Sequence, residues 1–209
     1  MAYTFLDTLS TPAVMAAQSE NGSRQMWADL DAADRAFDRF TEAETAFIAE
    51  RDSFYLASVS ESGWPYIQHR GGPPGFLKVL DDKTLAFADF RGNRQYISLG
   101  NIAHDGRVAL FLMDYPNRAR LKILAHVRAV TADAELVQSL LVPGYRGRPE
   151  RAFLLTLETF DWNCSQHITP RFTAREIDMA MAPLREEIAQ LRAENERLRQ
   201  QMEQQRLGG

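Results

Sequence analysis

Hydrophobic positions along the chain change rhythm twice. From Ser23 to Phe40 they fall at Met26, Trp27, Leu30, Ala33, Phe37 and Phe40, close to helical spacing. Thr41-Glu42-Ala43-Glu44 then has the form of a capping box, with Thr41 as cap and Glu44 reaching back to it. It predicts a helix from about Glu42 to Arg51. Beyond Arg51 the pattern shortens to strand-like runs at Ser53–Ser60, Pro65–Arg70, Leu77–Leu80, Leu85–Asp89, Arg107–Met113, Leu121–Val130 and Arg151–Phe160. Gly63-Trp64-Pro65, Asp81-Asp82-Lys83 and Tyr115-Pro116-Asn117 separate them as turns. Two helix-like inserts interrupt the strands, at Arg94–Ala103 and at Ala134–Leu141 before Pro143-Gly144. Short strands joined mostly by turns predict an antiparallel barrel, mainly β with flanking helices (α+β), rather than a doubly wound parallel sheet. Tyr55-Leu56-Ala57 and Val108–Met113 are apolar on both faces, as expected of strands with a core on one side and an interface on the other.

The tail returns to a helical rhythm. Thr173-Ala174-Arg175-Glu176 is a second capping-box pattern, and Pro183 is expected to start or kink a further helix. Leu184, Ile188, Leu191, Asn195, Leu198 and Met202 then alternate in steps of four and three. This puts Ile188, Asn195 and Met202 at heptad position a and Leu184, Leu191 and Leu198 at d. Ile at a, Leu at d and a single Asn at a favour a parallel two-stranded coiled coil. Glu187 could meet Arg192 of the partner subunit, and Glu194 could meet Arg199 of the partner subunit. The expected division is a helical segment at 1–52, a barrel at 53–172 and a coiled-coil tail at 173–209.

Composition narrows the class. With 45% hydrophobic residues in 209, the chain can bury a core and is not disordered throughout. A net charge of −4 argues against a dedicated nucleic-acid binder. The single cysteine, Cys164, excludes an intramolecular disulfide and fits a reducing compartment. No apolar run reaches the length of a membrane span, and the first residues lack a basic segment followed by a long apolar core. A soluble cytoplasmic protein is the expectation.

Against this acidic background one stretch is basic and punctuated by glycine. It reads Tyr66-Ile67-Gln68-His69-Arg70-Gly71-Gly72-Pro73-Pro74-Gly75-Phe76-Leu77-Lys78, then Leu85-Ala86-Phe87-Ala88-Asp89-Phe90-Arg91-Gly92-Asn93-Arg94-Gln95. Glycine lets the backbone approach a ligand, arginine offers a planar fork of donors to phosphate oxygens, and a loop feeding a helix adds unpaired N–H groups. An isolated arginine is usually a surface arginine; here Arg70 and Arg94 sit beside glycines at strand ends, as a phosphate cradle requires. His69, His104, His126 and His167 show no metal-ligand spacing, Cys164 has no partner thiol, and no metal site is expected. His69 and His167 lack a carboxylate nearby in sequence, and no nucleophile elbow occurs, so no catalytic residue is assigned.

These pieces, in this order, resemble the FMN-binding split β-barrel of the pyridoxamine 5′-phosphate oxidase superfamily, over roughly residues 40 to 172. The resemblance implies a homodimer with FMN at the subunit interface and flavin-dependent oxidoreduction of a small molecule, NAD(P)H being a candidate electron donor. It places Gln68, His69, Arg70 and Lys78 near the flavin, although Gly-Gly-Pro-Pro lengthens the family spacing between Arg70 and Lys78. It makes Ala88, Asp89, Asn93, Arg94 and Gln95 the strand end and turn that hold the phosphate, with Gln95 where the family has lysine. Lys122 falls at a polar flavin contact, with a solvent-facing strand lysine as the alternative, and Trp162 and Arg171 fall at the cofactor's edge. Where true oxidases carry an Arg-x-His substrate motif, this chain has Ser165-Gln166-His167-Ile168-Thr169. A non-catalytic or stress-related FMN binder and a haem-binding relative are the alternatives.

Overall fold

A computed structural model of the protein describes residues 4–28, 37–131, 134–162 and 165–207. Three short helices open the chain, α1 (Thr4–Leu9), α2 (Pro12–Glu20) and α3 (Arg24–Ala28). Thr11 caps α2, its hydroxyl accepting from the Val14 amide. The helix expected over Ser23–Phe40 is realised only at its start; 29–36 lies outside the described residues, as does Cys164, and Phe37–Phe40 is not helical. Tertiary packing overrides the periodicity there. The Phe37 and Phe40 rings lie 5.4 and 5.8 Å from the ring of Phe160, and the Phe37 carbonyl accepts from the Phe160 amide.

Helix α4 (Glu42–Ala49) forms where the capping box predicts it. Glu44 does more than cap. It is fully buried, accepts from the Thr41 amide and hydroxyl at 2.9 and 2.6 Å, and accepts from the Trp162 indole N–H at 2.6 Å.

The strands are β1 (Ser53–Val59), β2 (Pro65–Gly71), β3 (Lys78–Asp81), β4 (Thr84–Phe90), β5 (Arg107–Asp114), β6 (Ala119–Thr131) and β7 (Pro149–Trp162), with α5 (Ile97–His104) and α6 (Ala134–Leu140) between them. They form one seven-stranded sheet in the order β2-β1-β5-β6-β7-β4-β3, every pair antiparallel. The sheet wraps around its own apolar face. Phe54 of β1 meets Phe87 of β4 edge-on at 5.3 Å, although three strands lie between these two in the sheet. Across the remaining gap, Arg70 of β2 pairs with Asp89 of β4 at 2.6 Å. The core is a single cluster that includes Phe40, Ile48, Phe54, Leu110, Ile123, Phe153 and Phe160, and a smaller one packs α6 on Ala86, Ala88 and Ala152.

The Gly-Gly-Pro-Pro-Gly turn serves this core. A Cβ on Gly72 would stand 2.6 Å from Phe76 Cγ, and Phe76 stacks on Phe54 at 5.6 Å. Glycine at 72 thus seats an aromatic ring rather than a ligand.

The chain divides into two compact units, Met1–Ile168 and Thr169–Gly209. The second holds one helix, α7 (Ala174–Leu207), of 34 residues with no buried residue. Thr173 and Glu176 cap it reciprocally, as their sequence predicts. Pro183 does not start a separate helix; it lies inside this one. No helix among the described residues is long and apolar enough to cross a membrane.

Candidate functional site

The gap between β2 and β4 opens as a groove of about 190 Å³, floored by strand residues and walled by the turn that leads into α5. Alternation along β2 decides what enters it. Tyr66, Gln68 and Arg70 pair with Ser58, Leu56 and Phe54, whose side chains face the core, and all three line the groove. His69, one residue out of phase, faces the opposite side, exposed, with its ring edge-on to Tyr55 at 5.7 Å.

Asp89 anchors the floor. It is 7% exposed, accepts from Arg70 Nη1 at 2.6 Å, and has Arg151 Nε 3.3 Å from its other oxygen. Burial pushes its carboxyl above the usual aspartate value, and the attraction of Arg70 and Arg151 offsets this only in part. Arg70 is held from below by the rings of Phe153 and Phe87, 5.5 and 5.9 Å from its guanidinium carbon. Its Nε is buried and has no hydrogen-bond partner. Glu150 completes the network, bonded to Arg151 at 3.0 Å and to the Tyr96 hydroxyl at 3.2 Å.

The wall is the turn Gly92–Tyr96. Asn93 folds it, its side-chain oxygen accepting from the Gln95 amide at 3.1 Å. Arg94 (φ 63°) and Tyr96 (φ 53°) are both left-handed, a conformation that costs a non-glycine residue free energy and clusters at ligand sites. Tyr96 is the N-cap of α5 and makes no side-chain capping bond, and Ile97, Ser98 and Leu99 of the first turn of α5 line the groove. Gly92 has open space where a Cβ would stand. Ser98 Oγ donates to Gln68 at 2.6 Å and fixes that amide on the groove wall.

The structure therefore brings together Gln68, Arg70, Asp89, Asn93, Arg94 and Gln95. The other candidates stand elsewhere. Lys78 is half-buried at the start of β3; Ala88 faces the α6 cluster; Lys122 pairs with Asp161 at 2.6 Å beneath the ring of Phe5; Trp162 packs on Phe47 and donates to Glu44. Arg171 is exposed in the second unit. Tyr66, Phe90, Tyr96, Ser98 and Glu150 line the groove without having been singled out in the sequence. Tyr66 could have been found by counting back in twos from Arg70, but the β4–β7 pairing that delivers Glu150 leaves no local mark.

Residues 40–156, more than half of the chain, match the pyridoxamine 5′-phosphate oxidase family. The protein belongs to that family. Among solved structures it is similar to HupZ of Group A Streptococcus (18% identity, 64% of this chain and 99% of that one, TM-score 0.49). It is also similar to an FMN-binding protein of Syntrophomonas wolfei (14%, 70% and 97%, TM-score 0.48) and to HutZ, the haem storage protein of Vibrio cholerae (16%, 57% and 92%, TM-score 0.40). At these values the family assignment rests on the sequence match. No curated protein matches the chain.

The groove suits a phosphate monoester. The buried Arg70 Nε lacks an acceptor, Arg94 stands exposed on the turn, and the uncapped end of α5 presents N–H donors with a favourable dipole. Asp89 and Glu150 balance these charges in number, but both are engaged by arginines and the Tyr96 hydroxyl.

Proposed function

We propose that this protein is an FMN-binding flavoprotein that acts as a flavin-dependent oxidoreductase on a small molecule. The observation that carries the reading is the uncapped N-terminus of α5 behind the Gly92–Gln95 turn, facing Arg70 with its unsatisfied Nε. On this reading Arg94, Asn93 and the α5 amides hold the phosphate, while Arg70, oriented by Asp89, binds beside it. A bound flavin would supply hydride acceptance. Protein groups near its ring would tune its electronics.

The functional unit is a homodimer with the flavin between subunits. Support comes from the outer face of the sheet, where Tyr55, Val59 and Ile67 are 38%, 44% and 64% exposed on neighbouring strands, more apolar surface than a lone barrel needs to show.

The visible spectrum of the purified protein tests the cofactor. Flavin bands are expected, and a Soret band in their place overturns the reading in favour of haem. Bleaching by NADPH without oxygen is expected of an oxidoreductase; a flavin indifferent to reductant and substrate alike marks a binder only. Arg94→Ala tests the site, and in a fluorescence titration it should weaken FMN binding by about tenfold to a hundredfold, as loss of a charge-assisted hydrogen bond does. Unchanged affinity would remove the turn from the phosphate site.

A further inference from the structure

Helix α7 runs unbroken from Ala174 through Pro183 to Leu207, and this continuity lengthens its apolar seam. Met181 joins Ile188, Asn195 and Met202 at position a, and Ile177 joins Leu184, Leu191 and Leu198 at d. Pro183 falls at c, off the seam, where a missing backbone donor does not disturb knob packing. The seven apolar residues of this seam are each 40–65% exposed. A stripe along a helix of about 51 Å that nothing covers is an interaction surface.

Charge says what covers it. The e positions from Arg185 onward are Arg185, Arg192, Arg199 and Arg206, while the g positions from Glu187 onward are Glu187, Glu194 and Gln201. In a parallel, in-register pair each g residue faces the e residue of the partner's next heptad. Glu187 then meets Arg192 of the partner subunit, Glu194 meets Arg199 of the partner subunit, and Gln201 meets Arg206 of the partner subunit. In an antiparallel pair e faces e and g faces g, setting arginine against arginine and glutamate against glutamate. Asn195 at a adds the same preference, because two such amides bond each other only in a parallel, aligned pair, and Asn at a selects two strands. Within the single helix Glu194 meets Arg197 at 3.5 Å, an exposed pair that is readily exchanged for one across the seam.

We propose that α7 pairs with α7 of a second copy of this chain as a parallel, two-stranded coiled coil extending from Ile177 to Met202. The surface is one that the flavin site neither uses nor requires, so its fate is separable from that of the flavin reading. Both copies are then tethered at the same end of the coil through residues 169–173. Such tethering raises the concentration of one barrel seen by the other to the order of millimolar. The barrel pair is thereby kept together in dilute solution.

The test uses the full chain with Cys164→Ser and one new cysteine, at a (Met202→Cys) or at f (Gln200→Cys). Mild oxidation should link the first into a covalent dimer about tenfold faster than the second, because paired thiols on the seam see each other at millimolar effective concentration. Equal rates overturn the proposal, since the seam then brings nothing together. In the Met202→Cys background, Glu187→Arg with Glu194→Arg should stop linking, as should Arg192→Glu with Arg199→Glu. Mixing the two reversed forms should restore it as a mixed dimer. Linking that ignores the reversals, or that mixing fails to rescue, overturns the parallel register. FMN retention, read from the same samples at a protein concentration where the barrels stay paired without the tail, should not follow these outcomes.

Discussion

Asp89 lies between Arg70 and Arg151, yet burial holds its carboxyl above the ordinary aspartate range. A raised folded-state value means that, above the unfolded value near 3.8, the folded chain keeps a proton that the unfolded chain has already released. Stability from this group is therefore full below that pH and declines as pH rises through the raised value. Asp89→Asn cannot titrate, so the variant lacks this decline. Compared from about pH 4 to pH 7, the urea midpoint of the wild type should fall relative to that of the variant as pH rises. A wild-type midpoint that instead rises relative to the variant would mean that the two arginines outweigh burial and that Asp89 is a plain ion-pair partner. The same residue shows why the site was only half legible. Arginine, glycine, the turn and Asp89 could be read from the chain, but Glu150 and Arg151, which complete the network, arrive through β4–β7 pairing across the sheet.

At the scale of elements, local signals with a chemical mechanism translated well. The capping boxes at Thr41 and Thr173 both form, and the strand-like runs became strands to within a residue or two at most ends. Signals of periodicity alone did less well, because the Phe37 and Phe40 rings serve the core through Phe160 and not through a helix. Trp162 is a related case. A tryptophan at the end of β7 carries a resemblance to a cofactor contact, and in the fold its N–H ties that strand end to the cap of α4. Glu44→Ala removes both the cap and the acceptor of a part-buried indole N–H. It should cost about 2–4 kcal/mol, the sum of a lost cap and an unsatisfied donor. Thr41→Ala should cost about 1 kcal/mol, since it touches the cap alone. Chemical denaturation of the two variants decides the matter, and equal losses would show that the Trp162 bond contributes nothing.

At the scale of the whole molecule, sequence could say that two surfaces seek a partner but not which surface does the holding. The apolar outer strands and the heptad tail belong to different compact units, and only the first unit contains the groove. If the flavin lies between two barrels, barrel pairing must be intrinsic to residues up to Ile168, and the tail can only reinforce it. Truncation after Phe172 should then leave a dimer by light scattering that still takes up FMN. Its dissociation should begin at higher protein concentration than in the full chain, because the tether's millimolar effective concentration is gone. Flavin should be lost over the same dilution range in which the truncated dimer falls apart, as a ligand shared by two subunits requires. A truncated chain that is monomeric throughout and binds FMN as tightly as the full protein would place the flavin within one barrel, leaving the outer face of β1 and β2 to some other contact.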